Sequence, residues 1–256
     1  MSQKILVVIP ARYASTRLPG KPLLPLAGKP MIQHVYERAS SAKVSQVLVA
    51  TDDQRIFDAV TDFGGEVVLT SPNHLSGTDR VAEAARSVQA DLIINVQGDE
   101  PLLDPDSINR AVAPLLADDT IEMGTLAHAL TDAKELLNPN VVKVVINNRG
   151  FALYFSRAPI PFDRDQFTGQ PPTNPPTQTP SGVLRHIGLY VYRADFLQKF
   201  AQLSPTKLEK KESLEQLRAL EHGHDIRVVT VTRPIIGVDT PEDVEKVRII
   251  LEQSQS

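Results

Sequence analysis

The stretch QVLVATDDQRIFDAVTDFGGEVVL, residues 46–69, reads as strand, helix, strand. Gln46 to Ala50 and Glu66 to Leu69 are short apolar runs rich in β-branched residues, too short for helices and suited to buried strands. Between them Ile56, Val60 and Phe63 recur at helical spacing. Asp52 stands where an N-cap belongs, and Gly64-Gly65 supplies the stop. Two strands joined through a helix make a parallel crossover. A chain assembled from such units forms a parallel sheet covered by helices.

The same grammar extends on either side. Lys4 to Ile9 and Leu92 to Val96 are further strands; a helix after Gly77 carries Val81, Ala84, Ala85 and Val88, and one after Pro105 carries Ile108, Val112 and Leu115. The middle reads differently. Met123 to Leu130, Val141 to Asn147, Phe151 to Ser156 and Val183 to Arg193 are strand-like, with one short helical stretch, Asp132 to Leu137, which predicts a mixed extension of the sheet. Residues 159–180 hold seven of the chain's 20 prolines, so a long exposed loop is expected, with an inserted spacer at Gln170 to Pro180. Beyond it come helices at Asp195 to Gln202 and Glu209 to Glu221, a strand at Ile226 to Val231, and a terminal helix from Pro241 to Gln253.

Composition excludes several classes of function. The 256 residues suit one large domain; 27 basic against 31 acidic residues leave a net charge of −4, which gives no global attraction for nucleic acid or an anionic membrane. Any anion site is therefore local. With no cysteine, disulfides, thiolate zinc sites and cysteine nucleophiles are ruled out, and the cytoplasm is the expected compartment. The apolar run from Ile5 to Pro10 ends at Arg12 and is far shorter than a membrane span.

Chemistry concentrates at strand ends. PARYASTRLPGKP, residues 10–22, puts Arg12, Arg17 and Lys21 beside Ser15 and Gly20, where a parallel sheet offers its ligand crevice. The spacing is neither a Walker A loop nor a dinucleotide glycine fingerprint, which sets aside both families, dehydrogenases included. A merely solvated basic turn is the plain alternative. The strand at Leu92 runs into NVQGDEP, residues 95–101, and places Asp99 over the same crevice; GVDTP, residues 237–241, adds Asp239. Magnesium takes few protein ligands besides phosphate oxygens, so such acids suffice for it. Asp99 reads equally as a turn residue, and Asp239 as part of the helix start at Thr240-Pro241. Ser76-Gly77-Thr78-Asp79-Arg80 is either an ordinary cap or an anion site. His186, Gly188, Tyr190 and Tyr192 share a strand face, and Glu212, Glu215 and Gln216 a helix face.

Taken with ATDD (50–53), YFSRAP (154–159), RHIGLY (185–190) and ESLEQLR (212–218), these segments resemble, in order and over nearly the whole chain, the 3-deoxy-manno-octulosonate (Kdo) cytidylyltransferases, or CMP-Kdo synthetases. The proline-rich stretch is longer than that family's usual loop. The resemblance implies an α/β three-layer fold of the nucleotide-diphospho-sugar transferase kind, with a mainly parallel central sheet and a mixed extension. One domain would span residues 1–256, its excursion at about 130–220 serving dimerisation and sugar binding. It implies the conversion of CTP and Kdo to CMP-Kdo and diphosphate in lipopolysaccharide synthesis, with Mg²⁺, in a cytoplasmic homodimer. Arg12, Lys21, Asp99 and Asp239 would be catalytic, the two acids as metal ligands. Arg12, Ser15, Arg17, Lys21, Thr51, Asp52, Ser76, Gly77 and Arg80 would bind the nucleotide, and Gln97, Arg157, His186, Tyr190, Glu215 and Gln216 the sugar acid. The rivals are a cytidylyltransferase for sialic acid or 8-amino-Kdo, and a non-catalytic nucleotide-binding protein.

Overall fold

The computed structural model describes residues 3–14, 18–164, 181–233 and 236–253. In chain order come β1 (Ile5–Ala11), a 3₁₀ turn (Lys21–Leu23), β2 (Pro25–Leu26), β3 (Lys29–Pro30), α1 (Met31–Ser40), β4 (Gln46–Thr51), α2 (Gln54–Asp62) and β5 (Val67–Leu69). There follow α3 (Gly77–Ala85), β6 (Leu92–Asn95), α4 (Pro105–Ala117), β7 (Met123–Ala129), α5 (Ala133–Leu136), β8 (Lys143–Ile146) and β9 (Ala152–Ser156). The chain closes with β10 (Leu184–Arg193), α6 (Ala194–Phe200), α7 (Lys207–Glu212), α8 (Leu217–Glu221), β11 (Ile226–Val231) and α9 (Pro241–Gln253). The backbone divides into two compact units: Met1–Val112 with Leu189–Ala201 and Ile235–Ser256, and Ala113–Gly188 with Gln202–Pro234.

In the first unit β6, β1, β4 and β5 pair in parallel, and the end of β10 runs antiparallel along β6. Leu6 to Ile9 have no solvent exposure, because a central parallel strand is covered on both faces. α3 packs on β1, β4 and β6 and against α6, while α1 packs on β1 and β4. Parallel strands end at the same edge, so the residues leaving β1, β4 and β6 emerge together. A separate apolar cluster of Leu26, Met31, Val238, Val247 and Leu251 ties α9 to the β2–β3 hairpin.

The second unit mixes directions. β7 and β11 pair in parallel from Met123↔Ile226 to His128↔Val231, whereas β8 lies antiparallel to β9 and to the start of β10. The mixed extension expected in the middle of the chain is thus present.

Two expectations need correction, one helix adds to those expected, and one expectation is not tested. Asp53, not Asp52, caps α2, its side chain accepting from Arg55 N at 3.0 Å, because Asp52 is drawn instead to Arg80. α1 has no start signal in the sequence, since its N-cap position is Pro30, which offers no capping side chain. The helix expected from Glu209 to Glu221 is two helices broken at Ser213, which adopts φ 53°. Glu212 therefore does not share a helix face with Glu215 and Gln216. The spacer expected at Gln170 to Pro180 lies outside the described residues.

Candidate active site

The site begins with two backbones passing closely. Val96 N donates to Val8 O at 3.1 Å, and a Cβ at Gly98 would stand 3.0 Å from Pro10 O, so glycine lets the exit of β6 run close against the exit of β1 without displacing it. Asp99 follows immediately. Val238 N donates to Asp99 O at 2.9 Å, which brings the segment before α9 alongside the same turn. Thr240 and Asp243 cap α9 between themselves: Asp243 N donates to Thr240 Oγ1 at 3.2 Å and Thr240 N to Asp243 Oδ2 at 3.0 Å. The cap thus does not use the Asp239 carboxylate.

That carboxylate meets a lysine. Lys21 Nζ lies 2.5 Å from Asp99 Oδ2 and 3.3 Å from Asp239 Oδ1, with the lysine side chain 13% exposed and the acids 36% and 55%. All three line a concavity of about 370 Å³ together with Arg12, Gly77 and Gln97. Arg12 is anchored by donating from Nη2 to His74 O at 3.1 Å. Arg12, Lys21, Asp99 and Asp239 therefore line one cavity at the strand ends; that Asp99 faces the basic residues is as expected, and Asp239 joins them in addition to preceding the helix start. Ser15 and Arg17 lie outside the described residues.

Thr51, Asp52 and Arg80 form a network beside the strand ends. Arg80 is wholly buried; its Nη2 donates to Asp52 Oδ2 at 2.7 Å, its Nη1 contacts Thr70 Oγ1, and its Nε has no partner. Thr70 in turn donates to Thr51 O at 3.1 Å. Arg80 thereby fixes the exit of β4 more than it offers a free cation. Ser76 caps α3 in a reciprocal box with Asp79, at 3.1 and 3.2 Å.

In the first unit Tyr190 stacks on Tyr192 at 6.0 Å between ring centroids. Within the second unit, Thr125 Oγ1 lies 2.9 Å from His186 Nε2, and the Phe155 ring meets the imidazole edge-on at 4.9 Å. Burial lowers the His186 pKa to about 3, so the ring is neutral near pH 7. Arg157 spends its guanidinium on main-chain carbonyls, donating to Glu212 O at 2.7 Å, Pro139 O at 2.8 Å and Ser213 O at 3.2 Å. Glu215 approaches Arg218 at 3.6 Å, and Gln216 is buried with its Nε2 lacking a partner. Glu212 accepts from Ser156 Oγ at 2.7 Å and Arg157 N at 3.0 Å; burial works to raise its pKa, but these hydrogen bonds prevail and lower it.

Lys143 escaped the sequence reading. It is completely buried, and its Nζ donates to Asn138 O at 3.2 Å, Val141 O at 2.7 Å and Arg157 O at 2.6 Å. Burial, aided by nearby Arg157, lowers its pKa to about 8. Its signal was present: a lone charge inside VVKVVI, residues 141–146, on a strand otherwise apolar.

Comparison with known proteins identifies the family and the fold. Residues 6–226 match the cytidylyltransferase family profile. The chain is 57% identical over 244 residues to a 3-deoxy-manno-octulosonate cytidylyltransferase of Syntrophotalea carbinolica, covering 95% of this chain and 96% of that one. It is 53% identical to another from Photobacterium profundum, with coverages of 96% and 98%. A CMP:2-keto-3-deoxy-manno-octonic acid synthetase solved in complex with CTP superposes with a TM-score of 0.88 at 46% identity, over 98% of this chain and 99% of that one. The fold alone is shared with a 4-diphosphocytidyl-2C-methyl-D-erythritol synthase from Anaerococcus prevotii, at a TM-score of 0.64, 13% identity, and coverages of 98% and 99%.

Proposed function

The chain belongs to the cytidylyltransferase family, in its 3-deoxy-manno-octulosonate branch, and from that premise we propose that it joins CMP to Kdo, converting CTP and Kdo to CMP-Kdo and diphosphate. The observation that carries this reading is the convergence of Lys21, Asp99 and Asp239 with Arg12 in one concavity at the strand ends. The anomeric oxygen of Kdo attacks the α-phosphorus of CTP and loses its proton, while the bond from that phosphorus to the bridging oxygen breaks and diphosphate departs. Such transfers depend on positioning and charge neutralisation.

Arg12 and Lys21 hold the triphosphate and meet the charge that grows on the leaving diphosphate, with Ser15 and Arg17 assigned to the same task. Thr51, Asp52, Ser76, Gly77 and Arg80 border the nucleoside. The donor set at Asp99 and Asp239 fits a divalent cation: one ammonium already reaches both carboxylates, and hard oxygens are what Mg²⁺ prefers. A bound Mg²⁺ would supply Lewis-acid stabilisation of phosphate charge. The remaining ligands of such an ion would be nucleotide oxygens and water, since Mg²⁺ takes few ligands from protein. Gln97, Arg157, His186, Tyr190, Glu215 and Gln216 are assigned to the sugar acid. The neutral imidazole of His186 and the unpartnered Nε2 of Gln216 suit hydroxyls.

The reading includes CTP binding before Kdo, a role in lipopolysaccharide synthesis, a cytoplasmic location and a homodimer formed through the segment at about 130–220. No helix among the described residues is long and apolar enough to cross a membrane. The test is diphosphate release from CTP and Mg²⁺ with Kdo, 8-amino-Kdo, sialic acid or no acceptor. Release with Kdo alone is expected. Release only with another acid would move the protein to a sister specificity, and CTP binding without release would make it a non-catalytic binder.

A further inference from the structure

Tyr13 lies between Arg12 and Lys21 in sequence, and its side chain is held from two sides. The Arg55 guanidinium carbon stands 3.3 Å from the centre of its ring. That guanidinium is itself locked by a two-pronged pair with Asp53, Nε to Oδ1 at 2.9 Å and Nη2 to Oδ2 at 2.6 Å, while Asp53 Oδ1 also caps α2 by accepting from Arg55 N. A plane held at both prongs is a rigid plate, which a lysine ammonium cannot imitate. On the other side is Gly20. Its N donates to Tyr13 O at 3.0 Å, its φ is +69°, and a Cβ there would come within 3.1 Å of the Tyr13 ring. The next residue is Lys21, whose ammonium joins the two acids of the site.

We propose that Tyr13, pressed between the Arg55 plate and Gly20, is a positioning residue that holds Gly20, and with it Lys21, in the place that receives the CTP triphosphate. The inference rests on the cytidylyltransferase reading. Arg55 and Asp53 act through Tyr13 and need not touch the nucleotide. The Arg55 side chain is 59% exposed, so the clamp adds little to global stability and its effect falls on the loop. Released from the clamp, Lys21 would spend only a fraction of its time in the binding position, and apparent affinity falls by that fraction.

The experiment measures CTP affinity by calorimetry without sugar acid, alongside KM for CTP, KM for Kdo and thermal melting, for Y13F, Y13A, R55A, R55K and the Y13A/R55A double variant. Y13A and R55A are expected to raise the Kd and KM for CTP about tenfold, leaving KM for Kdo and melting unchanged. Y13F, which keeps the ring, retains affinity, and R55K, which keeps the charge without the plate, binds as weakly as R55A. The double variant is no worse than either single one, because both remove the same clamp. Wild-type-like binding by R55K would show that the charge of Arg55 acts on the nucleotide directly, and additive losses would show two independent roles; either overturns the proposal. Unchanged CTP binding in every variant overturns the clamp alone, whereas a wild-type protein that does not bind CTP overturns the nucleotide reading with it.

Discussion

Lys21 in the first unit and Lys143 in the second are both enclosed by oxygen acceptors, yet the acceptors differ in kind. Lys21 meets two carboxylates, at 2.5 and 3.3 Å, on the wall of an open concavity. Lys143 meets three main-chain carbonyls, at 3.2, 2.7 and 2.6 Å, with no exposed surface. Carboxylates at a solvent boundary can exchange one cation for another as phosphate or metal arrives. Carbonyls of a folded backbone cannot move away without unfolding their own turn. A cation meant to change partners is thus given mobile ionic ones, and a cation meant to hold a loop is given fixed neutral ones. Arg12 and Arg157 repeat the contrast: among the described residues one donates to His74 O, the other spends donors on three carbonyls.

The sharpest way to break this contrast is to neutralise an acid of the first site. Asp99→Asn is expected to lower Mg²⁺-dependent diphosphate release on the order of a thousandfold, with melting nearly unchanged, and Asp239→Asn to do the same to a lesser degree. Near-normal turnover in Asp239→Asn would return that residue to helix-start duty. Lys143→Met strips hydrogen bonds from three main-chain carbonyls and is expected to cost about 2–3 kcal/mol in denaturant unfolding while leaving CTP affinity intact. Loss of CTP binding without loss of stability would erase the distinction between the two lysines.

Two smaller effects sharpen the comparison. Lys21→Met removes the ammonium that competes for Asp99 and Asp239, so the protein without nucleotide should bind Mn²⁺ about tenfold more tightly in a calorimetric titration, although its turnover falls. Equal or weaker metal binding would mean that the ammonium does not occupy the metal's place. Lys143 supplies a pH signature. Its folded pKa, about 8, is below its ordinary value of 10.5, so the unfolded chain binds more protons between these values and stability gains as pH rises through that window. The melting temperature of the wild type relative to Lys143→Met should therefore increase from pH 8 towards 10.5 and be flat below pH 8. A gap that shrinks over that range would contradict the burial of the charge.

Much of this was legible in one dimension. β11 (Ile226–Val231) and α9 (Pro241–Gln253) have the bounds read from alternation and from the Thr240-Pro241 start, because strand period and helix caps are local chemistry. α1 was not legible: MIQHVYERAS follows Pro30 without a capping side chain, and its apolar residues are justified only by the sheet and hairpin they cover. The break at Ser213 left no glycine or proline to read. It is held by contacts from afar, Arg157 donating to Glu212 O and Ser213 O, and by Arg218 folding back on Glu209 at 2.5 Å.

Sequence alone determined the crossover pattern, the gathering of cations between Pro10 and Pro22, and the placing of acids after strands, since these follow from neighbours in the chain. Tertiary structure decided which of two adjacent aspartates caps α2. Asp52 and Asp53 are equally able to do so, and buried Arg80, 28 residues from Asp52, claims the first and leaves the cap to the second. It also decided that Asp239, 218 residues from Lys21, joins the site instead of only starting a helix, because Val238 N binds Asp99 O and turns the segment toward the lysine. Pairings at such separations depend on where the packed core brings two backbones together.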